Sequence, residues 1–151
     1  MERSEVIKRC ELFEELNGEQ IVVLAGMCEA CEFEPGAIIC KQGAEEDYIY
    51  VIENGLVGIF VETGPLSERQ VQAASNFDVF GWSAMIEPYT CTATVKALEK
   101  TRALAFKGKA LCDMCLERPD IGCRVCRRVA RIVSDRLRQS FTQLLGVTYQ
   151  D

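Results

Sequence analysis

The chain has 151 residues, 48% of them hydrophobic and 26% charged, with nine Cys, a single Trp, no His and a formal charge of −6. That length and balance suit one domain with a substantial core. The longest apolar run, IVVLAGMC at 21–28, falls far short of the roughly 18 residues a bilayer span needs, and no apolar stretch follows the start as a secretion signal would. The expected compartment is therefore the cytoplasm. Without His, imidazole bases, nucleophile–His pairs and mixed Cys/His zinc sites are excluded, and no nucleophile–base pattern remains to suggest an enzyme.

The charge is uneven. Residues 1–117 carry 10 Lys/Arg against 20 Asp/Glu, a balance of −10, whereas residues 118–151 carry 7 Arg against 3 Asp, a balance of +4. An acidic body repels phosphate backbones, so nucleic-acid binding by the whole domain is not expected. The basic tail reads as a solvated helix face lying near that acidic body.

In chain order, SEVIKRCELFEEL places Val6, Cys10, Phe13 and Leu16 at helical spacing behind Ser4, and NGEQIVVLAGM supplies a second short helix. From Cys31 the texture changes to short strand-like runs: CEFEPG, AIICKQG, DYIYVIENG, LVGIFVETG, RQVQAAS, CTATVKALE and TRALAFKG. Strands recurring every eight to twelve residues or so predict an antiparallel barrel or sandwich of about eight strands, with Asn54-Gly55 as the strongest hairpin signal. Between the last strands, GWSAMI predicts one helical turn opening at Gly81. GKALCDMCLER then reads as a helix broken at Arg118, and Pro119 opens a long final helix to about Leu145. The organisation is one domain: a helical segment at 1–30, a β-barrel at 31–107 with a cassette-like turn at 80–94, and C-terminal helices at 108–145. Along the last helix Cys126, Val129, Val133, Leu137, Phe141 and Leu144 recur at three- and four-residue steps. An apolar stripe of that length predicts a homodimer through the final helix.

This order of elements resembles the cyclic nucleotide-binding domain of catabolite activator-type regulators, kinase regulatory subunits and gated channels. EFEPGAIICKQGAEEDYIYVIENGLVGIF at 32–60 is similar to the first half of that family, with Gly36, Gly43 and Gly55 at its turn glycines. FGWSAMIEPYTCTATVKAL at 80–98 resembles its phosphate-binding cassette, and ERPDIGCRVCRRVARIVSDRLRQ its dimerising helix. The resemblance implies a mainly β jelly roll with flanking helices and a ligand site formed by Gly81, Trp82, Ser83, Ala84, Cys91, Thr92 and Ala93. It also implies a departure in that site. The family places a Glu after the cassette glycine to meet a ribose hydroxyl, where this chain has Trp82. It places an Arg near the cassette's end to pair with the cyclic phosphate, where this chain has Cys91. A hydrogen bond to a charged group contributes roughly 1.5–3 kcal/mol, so ordinary cAMP binding is expected to be weak or absent. Trp82 is either a lid that fills the pocket or a platform for a flat ligand.

Three Cys-x-x-Cys pairs occur: Cys28/Cys31, Cys112/Cys115 and Cys123/Cys126. The last two could converge as a four-thiolate zinc or iron–sulfur site, but their short separation and the ready burial of Cys favour inert thiols. No metal is expected, with Cys112, Cys115, Cys123 and Cys126 the candidate ligands should one bind. Cys91, standing alone without a base or cation, is expected to be unreactive. The expected function is a non-enzymatic regulatory and signalling domain standing without a DNA-binding domain, since only GVTYQD follows the helix. It would be a homodimer taking a cyclic nucleotide or another small anionic, nucleotide-like ligand, and passing the signal to a protein partner through the Arg-rich face at 124–138. Direct DNA binding and membrane association are not expected. The alternatives are a cysteine-based redox or metal sensor and a ligand-free interaction scaffold.

Overall fold

A computed structural model describes residues 1–146, so the VTYQD tail beyond Gly146 lies outside the described residues. The run YIYVIEN is apolar at consecutive positions, which suits a strand buried on both faces. As β3 (Tyr48–Asn54) it separates two cores: Ile49 and Val51 face one, Tyr50 and Ile52 the other. β8 (Thr101–Lys107) divides in the same way, with Leu104 and Phe106 on one side and Ala103 on the other. The period of two along a strand thus decides which core each side chain enters.

One antiparallel sheet has the order β1–β8–β3–β6, where β1 is Cys28–Phe33 and β6 is Val79–Phe80. The second has the order β2–β7–β4–β5, where β2 is Ile38–Cys40, β4 is Val57–Gly64, β5 is Ser67–Ala74 and β7 is Thr94–Ala97. The jelly-roll core between them holds Cys40, Tyr50, Ile52, Val57, Ile59, Ala74, Phe80, Cys91 and Val95, with Tyr50 stacked on Phe80 at 4.9 Å between centroids.

The outer face of the first sheet is covered by helices. These are α1 (Arg3–Arg9), α2 (Gly18–Ala25), α3 (Gly108–Glu117) and α4 (Pro119–Leu145), with a 3-10 turn at Glu11–Phe13. α2 starts at a reciprocal cap, in which Asn17 Oδ1 accepts from Gln20 N–H and Gln20 Oε1 accepts from Asn17 N–H. Pro119 opens α4, where its missing N–H costs nothing. Val6, Ile7, Leu12, Phe13, Leu24, Phe106, Leu111, Ile121 and Val125 make the second core, and each such fully buried side chain contributes roughly 1.5–3 kcal/mol.

Three details differ from the sequence reading. Asn54-Gly55 is not a hairpin: β3 and β4 lie in different sheets, and Gly55 carries the chain across with φ +142° and its N–H donating to Asn76 Oδ1 at 2.9 Å. The two-residue strand β6 is too short to leave a period-two signature. The basic face is not simply solvated, because Arg127 pairs with Glu15 at 2.9 Å, Arg128 with Glu14 at 2.8 Å, and Arg118 with Glu19 and Asp120 at 3.0 Å each.

The apolar stripe of α4 divides into two faces. Ile121, Val125, Val129 and Ile132 are buried against the domain's own helices, and Val129 also lines the apolar groove beside them. Met85 and Ile86 together with Cys126, Ala130, Val133 and Leu137 line the same groove, and Leu137 and Phe141 are each 53% exposed.

Candidate functional site

The pocket is built around a tight turn. Gly81 has φ +84°, and a Cβ there would lie 2.7 Å from the Tyr48 carbonyl oxygen, so only glycine fits. The chain then makes a 3-10 turn over Trp82–Met85 and returns through Thr90, which bridges to Glu45. Cys91 is pinned at both backbone groups: its N–H donates to Ala44 O and its carbonyl accepts from Gly43 N–H, each at 2.8 Å. Glu46 N–H donates to Tyr89 O at 2.8 Å. The loop between β2 and β3 is thereby zipped to the far end of the cassette.

The cavity between them is lined by Cys40, Glu46, Ile59, Phe80, Gly81, Trp82, Ser83, Cys91, Thr92, Ala93 and Val95. Six of the seven residues expected from the sequence come together here. Ala84 does not, being buried with its carbonyl against Gly108. The cavity offers ≈ 50 Å³ of space, enough for about four waters and well below the roughly 300 Å³ or more of a drug-sized ligand site.

Two lining residues escaped the sequence reading. Cys40, at the end of β2, is disulfide-bonded to Cys91 across 51 residues with Cα atoms 6.7 Å apart, so Cys91 is not the solitary thiol its sequence surroundings suggest. Glu46, 6% exposed, lies beside them. Its Oε1 accepts from Tyr48 N–H at 3.1 Å, and its Oε2 lies 3.5 Å from Cys91 Sγ. A disulfide sulfur has no proton to donate, so that second contact is a hydrogen bond only when the bridge is open and Cys91 is a thiol. Burial is the main influence on Glu46 and pushes its carboxyl above the ordinary value. No cationic side chain lines the cavity. Where the resemblance predicts an Arg for an anion, this pocket presents an acid and two sulfurs.

Trp82 is half-buried, lines the cavity and packs against the helical core. The Arg136 guanidinium of α4 lies 5.2 Å from its ring centroid, a cation–π distance. Arg136 also donates to Gln72. The indole therefore joins the cassette turn to the middle of the long helix.

The Cys-x-x-Cys pairs do not form a four-thiol centre. Cys112 and Cys115 are half-buried, and Cys123 and Cys126 are exposed. Burial pushes the thiols of Cys10 and Cys115 up to about 12, holding them protonated at neutral pH. Among the described residues, the only group of three or more Cys, Asp or Glu ligand atoms lying within 4.8 Å of one another is Cys40, Glu46 and Cys91.

Comparison with known proteins adds three findings. A family described as the cyclic nucleotide-binding domain matches residues 30–118. A CRP-like cAMP-activated global transcriptional regulator of Mycobacterium tuberculosis is 24% identical over 147 residues, covering 97% of this chain and 64% of that protein. The chain thus spans 64% of the length of that curated relative. Among solved structures, the N-terminal domain of a transcriptional regulator from Streptomyces coelicolor superposes with TM-score 0.74 at 25% identity, covering 97% of this chain and 98% of that one. A cyclic nucleotide-binding domain from Methylobacillus flagellatus superposes with TM-score 0.83 at 19% identity, covering 99% and 84%.

Proposed function

We infer, because this chain belongs to the cyclic nucleotide-binding domain family, that it is a regulatory module rather than an enzyme, receiving a signal at the cassette pocket and passing it to α4. The observation that carries this reading is the contact of Trp82 with Arg136. A ligand that displaces the indole must also displace a guanidinium halfway along the helix, so pocket occupancy and helix position become coupled. The output face is the outward stripe of α4, which a second copy of the chain covers to form a dimer.

The pocket's chemistry argues against cAMP as its ligand. A cyclic phosphate entering this cavity meets Glu46 instead of a guanidinium, and in a partly desolvated site like charges repel more strongly than in water. An anionic or nucleotide-like ligand must widen the cavity and bring a counter-charge with it.

The single tryptophan makes the reading measurable. Reduced protein titrated with cAMP, cGMP, cyclic dinucleotides and linear nucleotides should show no saturable change of Trp82 emission with cAMP up to millimolar concentration. Arg136→Ala should shift that emission, because the cation over the ring is gone. A saturable cAMP response would overturn the account of the pocket, and unchanged emission in Arg136→Ala would overturn the coupling.

A further inference from the structure

We propose that, with the Cys40–Cys91 bridge reduced, the pocket is a binding site for a thiophilic divalent metal ion, zinc-like in its preferences, held by Cys40 Sγ, Cys91 Sγ and one carboxylate oxygen of Glu46. The inference rests on the placement of the signal-receiving site at this pocket and names the chemistry of what it receives.

Four observations meet here. The three ligand atoms lie within 4.8 Å of one another while the two sulfurs are bonded to each other, so opening the bridge lets the sulfurs part to the separation that bonds of roughly 2.3 Å to one tetrahedral ion require. All three residues are buried, at 8%, 6% and 6% exposure for Cys40, Glu46 and Cys91, so water competes poorly for the ion. Two of the ligands are fixed before any ion arrives: Cys91 by the two backbone bonds to Gly43 and Ala44, and Glu46 by its N–H to Tyr89 and by the Tyr48 N–H on Oε1. That last bond leaves Oε2 turned toward the sulfurs. Finally, Glu46 has no cationic partner among the described ion pairs, and none lines the cavity. A buried acid without a counter-ion is costly, and a disulfide does not need one beside it. Two thiolates and a carboxylate around an ion fit both facts.

Two thiolates and one carboxylate leave a fourth tetrahedral position, as in zinc sites that keep an exchangeable ligand. Ser83, Thr92 and Gly81 line the same cavity, so that position opens on the cassette and is available to water or to an anion. The two oxidation states exclude one another. Thiol–disulfide exchange with an external dithiol passes two electrons and two protons to the Cys40 and Cys91 sulfurs while the dithiol closes to its own disulfide. Metal then displaces the two thiol protons. Closing the bridge with glutathione disulfide returns two glutathione thiols and removes both sulfur ligands.

The test is cobalt(II) and zinc(II) binding to the full chain, anaerobic and reduced, against the same protein with the Cys40–Cys91 bridge closed and verified by peptide mapping. The reduced form should take up one equivalent that the oxidised form lacks, with thiolate-to-cobalt absorption. Cys40→Ser and Cys91→Ser should each lose that equivalent, whereas Cys115→Ser and Cys126→Ser should keep it. Glu46→Gln should retain the absorption with affinity weakened about tenfold or more. Zinc should also slow closure of the bridge by glutathione disulfide at least tenfold in the unaltered protein, a measurement that needs no variant to fold. Equal metal uptake by the two oxidation states, an equivalent lost only with Cys115→Ser or Cys126→Ser, or closure at the same rate with and without zinc would each overturn the site. None of these readouts uses a nucleotide or Trp82, so failure here and failure of the regulatory reading are separate results.

Discussion

Gly122 shows how little room separates the last two helices. A Cβ at this position would run into the carbonyl of Cys115 on α3, and backbone cannot swing aside as a flexible side chain can. Gly122→Ala should therefore destabilise the fold by about 1–3 kcal/mol, read as a lower urea midpoint with an unchanged slope. An unaltered midpoint would mean that the α3–α4 corner yields. Glu46 is the residue whose environment matters most to the pocket, and its sequence context, AEEDY, says nothing of it. Of three adjacent acids, only this one turns inward. The helical turn opening at Gly81 was legible from the short GWSAMI run, whereas its positive φ came from the structure. Cys40 was not, because a partner 51 residues away leaves no local pattern.

At the scale of elements, α4 presents one apolar face to the core and another to an open groove. Spanning 27 residues, it is about 40 Å long, and its first half is anchored by Ile121, Val125 and Val129. Beyond Ile132 the apolar residues Leu137, Phe141, Leu144 and Leu145 are exposed, an apolar patch of the kind that interaction surfaces present. Leu137→Glu places a charge in that seam without entering the domain's own core. It should convert a dimer into a monomer by light scattering at micromolar concentration, with the thermal stability of the monomer fold little changed. A wild-type monomer, or a dimer unaffected by the substitution, would rule the seam out. Val133 is a poorer test because it is half-buried and packs partly on the core. The amphipathic period revealed the stripe, but a stripe wide enough to serve core and partner together cannot be divided between them by spacing alone.

Across the whole molecule, ion pairs link the N-terminal helical segment to the start of α4. Arg118, at the break between α3 and α4, reaches Glu19 on α2 and Asp120 beside it, and Asp120 also accepts from Gln20 at 3.0 Å. The Arg118 guanidinium, and then the Gln20 amide, hold the Asp120 carboxyl below the ordinary carboxylate range. A depressed carboxylate stabilises the fold at pH values above its unfolded pKa of roughly 3.9, and that contribution disappears as pH falls through the lower folded value. Asp120→Asn should thus be less stable than wild type at pH 7, with the gap narrowing below about pH 4. A gap of equal size at pH 7 and pH 3 would assign the effect to packing rather than charge. The sequence by itself determined the element order, the strand-rich middle between helices, the turn at Gly81 and the family resemblance that these carry. It could do so because periodicity, caps and turn residues act over a few positions, where the chain is its own context. Only the tertiary structure decided that Asn54-Gly55 crosses between sheets, that the basic face is spent largely on the protein's own acids, and that Cys40, Glu46 and Cys91 share one cavity. Those outcomes depend on contacts between distant segments, and the free energy of such contacts exists only once both sheets and the helical layer have closed on one another.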